Sequence, residues 1–410
     1  MKLLTNISQL ATCRAEGGQG DIHPLADGAV AWEGESIRWV GPRGELPREY
    51  QGADIIDAGG ALVVPGLVDC HTHLAFGGWR AEEFEDRIRG RSYLEIGRAG
   101  GGIARTMRLT REAGAAELGE RAGGFLRGML SLGVTTVECK SGYGLDRENE
   151  LKLLRVYRAL AGRQPVRLVP TLLGAHTVPP ELRDARDRYI ALLVDELIPE
   201  VGRAGLAAFC DVFVEASAFS VDEARRILAA GKAAGLRPKL HADQLRAGGG
   251  AELAAEVGAV SADHLEFASA GGIAAMAQAG VVAVSLPLAS LYLGQRLMPA
   301  RRFIEAGVAV AVATDFNPGS APSYHLPFAL TLACTTQRMT PAEALKGATI
   351  YAARAVGLES RVGSIEAGKS ADLALIDAPD VTHWLYHLRA NACVATVASG
   401  AMFRHGGENS

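Results

Sequence analysis

The sequence predicts an α/β protein, a (β/α)8 TIM-type barrel with a small β-sandwich domain built from both chain termini. Three observations lead there. Eight short apolar, β-branched runs recur from about residue 60 to residue 315. Helical stretches rich in Ala, Leu, Arg and Glu separate them. Polar residues collect where the runs end, on the face where barrel enzymes hold their sites. A doubly wound sheet is the alternative, and the count of eight runs favours the barrel.

The elements follow in order. Residues 1–60 alternate polar and apolar, as in Ala29-Val-Ala-Trp-Glu-Gly and Ser36-Ile-Arg-Trp-Val-Gly, and read as hairpins. Residues 358–410 behave alike, as in Ser370-Ala-Asp-Leu-Ala-Leu-Ile-Asp, and the two ends together form the expected sandwich. Residues 61–357 form the barrel, with strands at Ala61–Val68, Val134–Cys139, Val166–Leu173, Cys210–Val214, Pro238–His241, Val260–His264, Val281–Leu286 and Val308–Ala313. Asp146–Leu160 and Glu181–Val201 are the clearest helices. Ser220-Val-Asp-Glu223 is a capping box for a helix running to Ala234, and Thr340-Pro-Ala-Glu343 is another with proline at the first helical position.

Composition narrows the function. The chain has 410 residues, 48% hydrophobic and 21% charged, enough for one large core and a satellite domain, and unlike a disordered or collagenous chain. The formal net charge is −4 with no basic stripe, so no nucleic-acid partner is expected. The longest apolar run, Val281 to Leu293, contains Pro287 and is too short for a membrane helix. No signal-peptide pattern opens the chain, and six scattered cysteines without a C-x-x-C suit structural thiols in a reducing cytoplasm.

The sharpest chemical signal is His71-Thr-His73. Two residues apart on a strand, both imidazoles point to one side. A surface H-x-H without function is the bland alternative. The other strand ends weigh against it, because His241, His264 and Asp315 close strands five, six and eight and His176 closes strand three. Nitrogen donors plus one carboxylate suit zinc or ferrous iron rather than calcium or magnesium. An ion with an open position makes hydroxide available near neutral pH, which points to hydrolysis at a carbon bonded to nitrogen or oxygen. His264 reads as a proton carrier, with a metal ligand or a satisfied core histidine as the alternatives. A second ion would need a bridging group at the end of strand four, where Glu215 is the candidate; one ion is the favoured reading.

Arg80, seven residues after His73, can hold a carboxylate with its rigid fork, and Tyr143 can add a donor; a solvated loop arginine is the alternative. Gly100-Gly-Gly-Ile reads as a loop near the barrel mouth. Gly363-Ser-Ile-Glu-Ala-Gly368-Lys369-Ser370 matches the phosphate-loop pattern, but a strand follows it and a helix precedes it, the reverse of what phosphate binding needs. It reads as a β-turn.

Pro65-Gly-Leu-Val-Asp-Cys-His71-Thr-His73 together with Gly363-Ser-Ile-Glu-Ala-Gly-Lys-Ser-Ala-Asp-Leu resembles the amidohydrolase superfamily. Further blocks narrow the resemblance to its branch that opens an imidazolone ring in histidine degradation. They are Phe76-Gly-Gly-Trp-Arg80, Lys140-Ser-Gly-Tyr143, Leu173-Gly-Ala-His176, His241-Ala-Asp-Gln244, Ser261-Ala-Asp-His264 and Thr314-Asp315-Phe-Asn317-Pro-Gly319-Ser320. The resemblance implies hydrolysis of 4-imidazolone-5-propanoate, a small anionic substrate, to N-formimidoyl-L-glutamate. It implies that His71, His73, His241 and Asp315 hold one zinc or iron ion. It implies that Arg80, Tyr143 and His176 grip the propionate and neighbouring polar atoms. Gln244 would bond the ring, His264 would serve as acid and base, and Asn317, Gly319 and Ser320 would line the pocket. A cytoplasmic homodimer is also implied. Gln244 stands where similar enzymes can carry glutamate, and an amide can orient a ring but not relay a proton. An aminohydrolase releasing ammonia from a purine or pyrimidine, and a scaffold without activity, are the readings to be separated from this one.

Overall fold

The protein is described by a computed structural model covering residues 1–91, 95–96 and 100–405. Eight parallel strands run in sequential order: Leu67–Asp69, Val134–Lys140, Arg167–Ala175, Phe209–Val214, Arg237–Ala242, Ser261–His264, Val282–Ser285 and Val310–Val312. The first and last meet through a parallel bridge between Thr72 and Phe316 and through the Asp315 amide, which donates to the His71 carbonyl at 3.0 Å. The barrel is therefore nearly closed. Its strands are Val-, Leu- and Ala-rich because both of their faces are covered, by the barrel interior on one side and by helices on the other. Each fully buried Val or Leu there contributes about 1.5–3 kcal/mol.

The terminal segments form two further sheets. One orders Ser36–Pro42, Gly28–Glu33, Lys2–Thr5 and Asp54–Asp57. The other orders Ala401–Arg404, Cys393–Ala398, Leu373–Ile376, Leu62–Pro65, Gln9–Ala11 and Pro24–Leu25. Leu4, Val30, Trp32 and Ile37 of the first sheet pack with Val63, Leu373, Leu375 and Val397 of the second in one buried cluster. Two sheets sharing an apolar layer make the expected sandwich. Arg167 fastens it to barrel strand three: its guanidinium meets Asp372 at 2.7 Å and the hydroxyls of Ser370 and Ser399, each at 3.2 Å.

Some elements differ from the sequence reading. The run Ala61–Val68 is not one barrel strand. Leu62–Pro65 belongs to the sandwich, paired with Leu373–Ile376, and only Leu67–Asp69 enters the barrel. Gly66 makes the crossing, in a spot where a Cβ would collide with the Thr135 hydroxyl. The helix expected over Glu181–Val201 is broken into short pieces, with a widened π-type stretch at Leu192–Leu197. Pro199 has no amide hydrogen to offer and crowds the carbonyl four residues back, which accounts for the widening. Both capping boxes are present, at Ser220 with Glu223 and at Thr340 with Glu343. The segment 363–370 is a turn between a helix and a strand, with Lys369 paired to Glu366 at 3.1 Å. All six cysteines are free thiols.

Candidate metal centre and substrate pocket

The carboxyl ends of the barrel strands converge on one buried cluster. His71 and His73 follow strand one and His241 lies near the end of strand five, each at most 3% exposed. One ligand nitrogen of each lies within 4.8 Å of the others, close enough to share an ion. Asp315, just past strand eight, brings Oδ1 to 3.4 Å from His71 Nε2 and 3.5 Å from His73 Nε2. Asp315 has φ +54°, a left-handed conformation costly for a side-chain-bearing residue, and it turns the carboxylate toward the histidines.

The far side of each ring fixes which nitrogen faces the centre. His71 Nδ1 is 2.6 Å from Asp263 Oδ2, and His241 Nδ1 is 3.1 Å from Asp211 Oδ1. Carboxylates accept only, so both Nδ1 atoms carry the hydrogen, and both Nε2 atoms are turned toward the centre. Those Nε2 atoms are buried and have no hydrogen-bond partner. Orphaned ring nitrogens of this kind are costly unless something occupies them, and a divalent cation fits three imidazoles and a carboxylate.

Below the histidines lies a layer of fully buried charge. Lys140 Nζ is 2.7 Å from Asp211, 3.0 Å from Glu138 and 3.4 Å from Asp263. Lys239 Nζ is 2.9 Å from Glu138. His71, Glu138 and Asp263 also have the spacing of a cation site, but the Lys140 ammonium already sits against both carboxylates. Burial opposes charge on Asp211, yet the Lys140 ammonium, then His241, hold its carboxyl well below the usual range. Burial also opposes charge on Asp315, and the His71 and His73 imidazoles that face it outweigh that and hold its carboxyl well below the usual range. Burial lowers His73 and His241 toward the neutral form that coordination requires; on His71 burial and Lys140 oppose charge, but Asp263 and Asp315 outweigh them and raise it to about 9, a proton that a bound cation would displace.

Around the cluster, the His264 ring lies 5.7 Å from that of His71 and 5.5 Å from that of His241. Its Nδ1 is 3.5 Å from Glu266 Oε1, and its backbone is left-handed at φ +77°. The His176 ring stacks on His73 at 5.2 Å, and Tyr143 lies 5.5 Å from both rings. His176 Nδ1 sits 3.0 Å from the Gly142 carbonyl and so carries the hydrogen. Burial, then the neighbouring His73, lower its pKa to about 3, which leaves Nε2 a neutral acceptor. The Arg80 side chain is 8% exposed; its Nε lies 3.5 Å from Glu83, makes no hydrogen bond, and the fork lies across the backbone of Gly319.

The remaining expected site residues are placed differently. Gln244 is half-buried beyond strand five, and among the described residues no hydrogen bond ties it to the cluster. The Asn317 amide is engaged within its own loop, with Nδ2 donating to the Asp315 carbonyl at 2.6 Å and Oδ1 accepting from the Gly319 and Ser320 amides at 2.8 Å. Glu215 accepts from the Leu245 amide at 3.0 Å and stands apart from the cation-spaced groups found among the described residues. Asp211, Asp263, Glu138, Lys140 and Lys239 were not singled out from the sequence. The available signal was charged residues inside strands otherwise apolar on both faces.

The chain matches the amidohydrolase family over residues 62–402. It is 46% identical over 411 residues to the imidazolonepropionase of Geobacillus kaustophilus, covering 99% of this chain and 97% of that one. It is 50% identical over 384 residues to the imidazolonepropionase of Geobacillus thermodenitrificans, covering 93% of this chain and 91% of that one. Among solved structures, a zinc-bound adenosine deaminase from Xanthomonas campestris superposes with TM-score 0.73 at 19% identity, covering 98% and 92% of the two chains. E. coli guanine deaminase superposes with TM-score 0.71 at 15% identity, covering 99% and 100%. At such identities the two deaminases share the fold alone. With relatives of this identity matched over nearly its whole length, the chain belongs to the imidazolonepropionase family of amidohydrolases.

Proposed function

We propose that this chain hydrolyses the ring C–N bond of 4-imidazolone-5-propanoate, giving N-formimidoyl-L-glutamate in histidine degradation. The observation that carries the reading is the pairing of an orphaned three-histidine cluster with a buried arginine whose Nε faces Glu83 at 3.5 Å without a hydrogen bond. The first suits hydrolysis and the second suits a substrate with a carboxylate tail.

His71, His73, His241 and Asp315 would hold one zinc or ferrous ion. A bound ion of this kind supplies a water ionised near neutral pH. Arg80 anchors the propionate through paired N–H donors, and Tyr143 adds to the grip. His176, neutral with its lone pair at Nε2, accepts from a ring N–H rather than donating to the carboxylate. His264 moves protons at Nε2, because its Nδ1 side faces Glu266. It holds the proton that the leaving ring nitrogen requires. Gln244 orients the ring. Asn317 and Ser320 shape the loop beside Asp315. The Lys140 ammonium standing against the neighbouring carboxylates supports one ion rather than two. We also assign residues 1–65 and 358–410 to one domain, 66–357 to the other, moving the expected boundary from residue 60 because Leu62–Pro65 pairs within the sandwich, and the active form to a cytoplasmic homodimer. No helix of the described residues is long and apolar enough to cross a membrane.

The test is incubation of purified protein with the imidazolone, following loss of its ultraviolet absorbance. Turnover without ammonia release supports the reading, as does its loss on chelation and its return with Zn2+ or Fe2+. Ammonia release from a purine or pyrimidine, with no loss of imidazolone, would replace it with an aminohydrolase.

A further inference from the structure

Position 319 is glycine, and its backbone gives no conformational reason for that. Among the glycines of this chain many have φ in the left-handed region, but Gly319 does not. Another residue could adopt its conformation. Space is the difference. An ideal Cβ built on Gly319 falls inside the Arg80 guanidinium, its nearest atoms being Nη2, Cζ and Nε, with Nε at 2.6 Å. All three are atoms of one side chain. The fork therefore rests on the bare Cα of the loop after strand eight.

That loop is held firmly. The Gly319 amide donates to Asn317 Oδ1 at 2.8 Å, and the Gly319 carbonyl accepts from Arg87 at 3.4 Å. Arg87 in turn lies over the Tyr292 ring at 4.7 Å. The same Asn317 binds the Asp315 carbonyl at 2.6 Å, so the seat of Arg80 and the carboxylate beside the histidines are parts of one rigid turn.

We propose that Gly319 is a positioning residue for substrate selection. By lacking a side chain, it seats the Arg80 fork at a set distance from the histidine cluster, and so admits ligands whose carboxylate stands one propionate length from the ring. The inference rests on the reading of Arg80 as the carboxylate anchor. Its consequence is specific. The obstacle to a methyl group at 319 is the end of a flexible side chain, so the protein with Gly319→Ala folds and keeps its metal, and the displaced group is Arg80.

The experiment is a double-substitution cycle with Gly319→Ala and Arg80→Ala. Each protein is assayed for KM with the imidazolone, for metal content and for melting temperature. Two inhibitors are added as probes: imidazole-4-propionate, which carries the tail, and 4-methylimidazole, which does not. Gly319→Ala is expected to raise KM and the inhibition constant of imidazole-4-propionate by about 10–100-fold, the range for lost charged hydrogen bonds. Inhibition by 4-methylimidazole, metal content and melting should stay with the parent. In the Arg80→Ala background, Gly319→Ala should add nothing. An unchanged KM in Gly319→Ala, where Arg80→Ala raises it, would overturn the proposal. So would multiplying effects in the double variant, or equal weakening of both inhibitors. Failure of Gly319→Ala to fold would contradict the flexible-side-chain premise and overturn it too. If Arg80→Ala alone leaves KM unchanged, the anchor reading falls first and this inference with it.

Discussion

Replacing Lys140 with methionine should destabilise this protein far more than cutting any surface ion pair. The Lys140 ammonium touches three carboxylates at 2.7, 3.0 and 3.4 Å, and all four side chains have no solvent exposure. Methionine matches its length but leaves Glu138, Asp211 and Asp263 with one buried cation, Lys239, instead of two. Breaking a buried pair by removing one partner costs about 3–5 kcal/mol, because the remaining charge stays desolvated. Three carboxylates depend on this lysine, so the upper end applies, a third or more of the roughly 5–15 kcal/mol that holds a typical domain together. The comparison is Arg225→Ala, which removes an equally short pair to Glu256 at 2.6 Å between side chains 42% and 52% exposed. Arg225 also pairs with Asp222, and solvent screens both contacts, so their loss should barely move the unfolding midpoint. The assay is urea unfolding of chelator-treated protein, with the shift in midpoint converted through a common slope. Chelation keeps ion binding from masking the difference. If Lys140→Met loses no more than Arg225→Ala, the buried layer is not the electrostatic unit described here.

Asp263→Asn should weaken Zn2+ binding about 10–100-fold, measured by competition with a chromophoric chelator, since it loosens the orientation of His71; unchanged affinity would refute this. His264→Ala should lower kcat by about 10²–10⁴-fold with metal retained. Loss of metal instead would make His264 a ligand. Arg186, bonded to Glu223, holds that carboxyl down to about 2 from 4.5. A lowered acid stabilises the fold above its unfolded value and loses that contribution as pH falls. Wild type should therefore lose stability between about pH 4.5 and 2 through this group, and Glu223→Gln should remove that component of acid unfolding. Identical acid profiles for the two proteins would disprove the coupling.

Much of the barrel was legible because its signals are local. A β-branched run such as Val134–Cys139 and a cap such as Ser220 with Glu223 each declare themselves within a few residues. His71 and His73 were legible for the same reason, since a two-residue spacing fixes a shared side on a strand. What escaped depends on partners far away in the chain. Nothing within Ala61–Val68 says that its first half pairs with Leu373–Ile376, because sheet membership is decided by the neighbour. The Lys140 layer required strand neighbours distant in the chain, with Asp211 opposite Lys239 and Asp263 opposite His241, and the barrel closure that brings Glu138 to the same ammonium groups. Gly319 is expected in the pocket lining from the resemblance, but no local signal tells that the Arg80 fork lies on its Cα.

The interlacing of the two ends also dictates an order of assembly during synthesis. Leu62–Pro65 is among the earliest strands to leave the ribosome, yet its antiparallel partner Leu373–Ile376 emerges only after every barrel strand. Trp32 likewise waits for Gly400, whose carbonyl it binds at 3.1 Å. The nascent amino-terminal sheet must therefore carry an uncovered apolar face through most of translation, while the barrel closes ahead of it. Chaperone demand should fall on that early segment, and a circular permutant joining the ends, in which both halves of the sandwich are made together, should refold faster than the natural order.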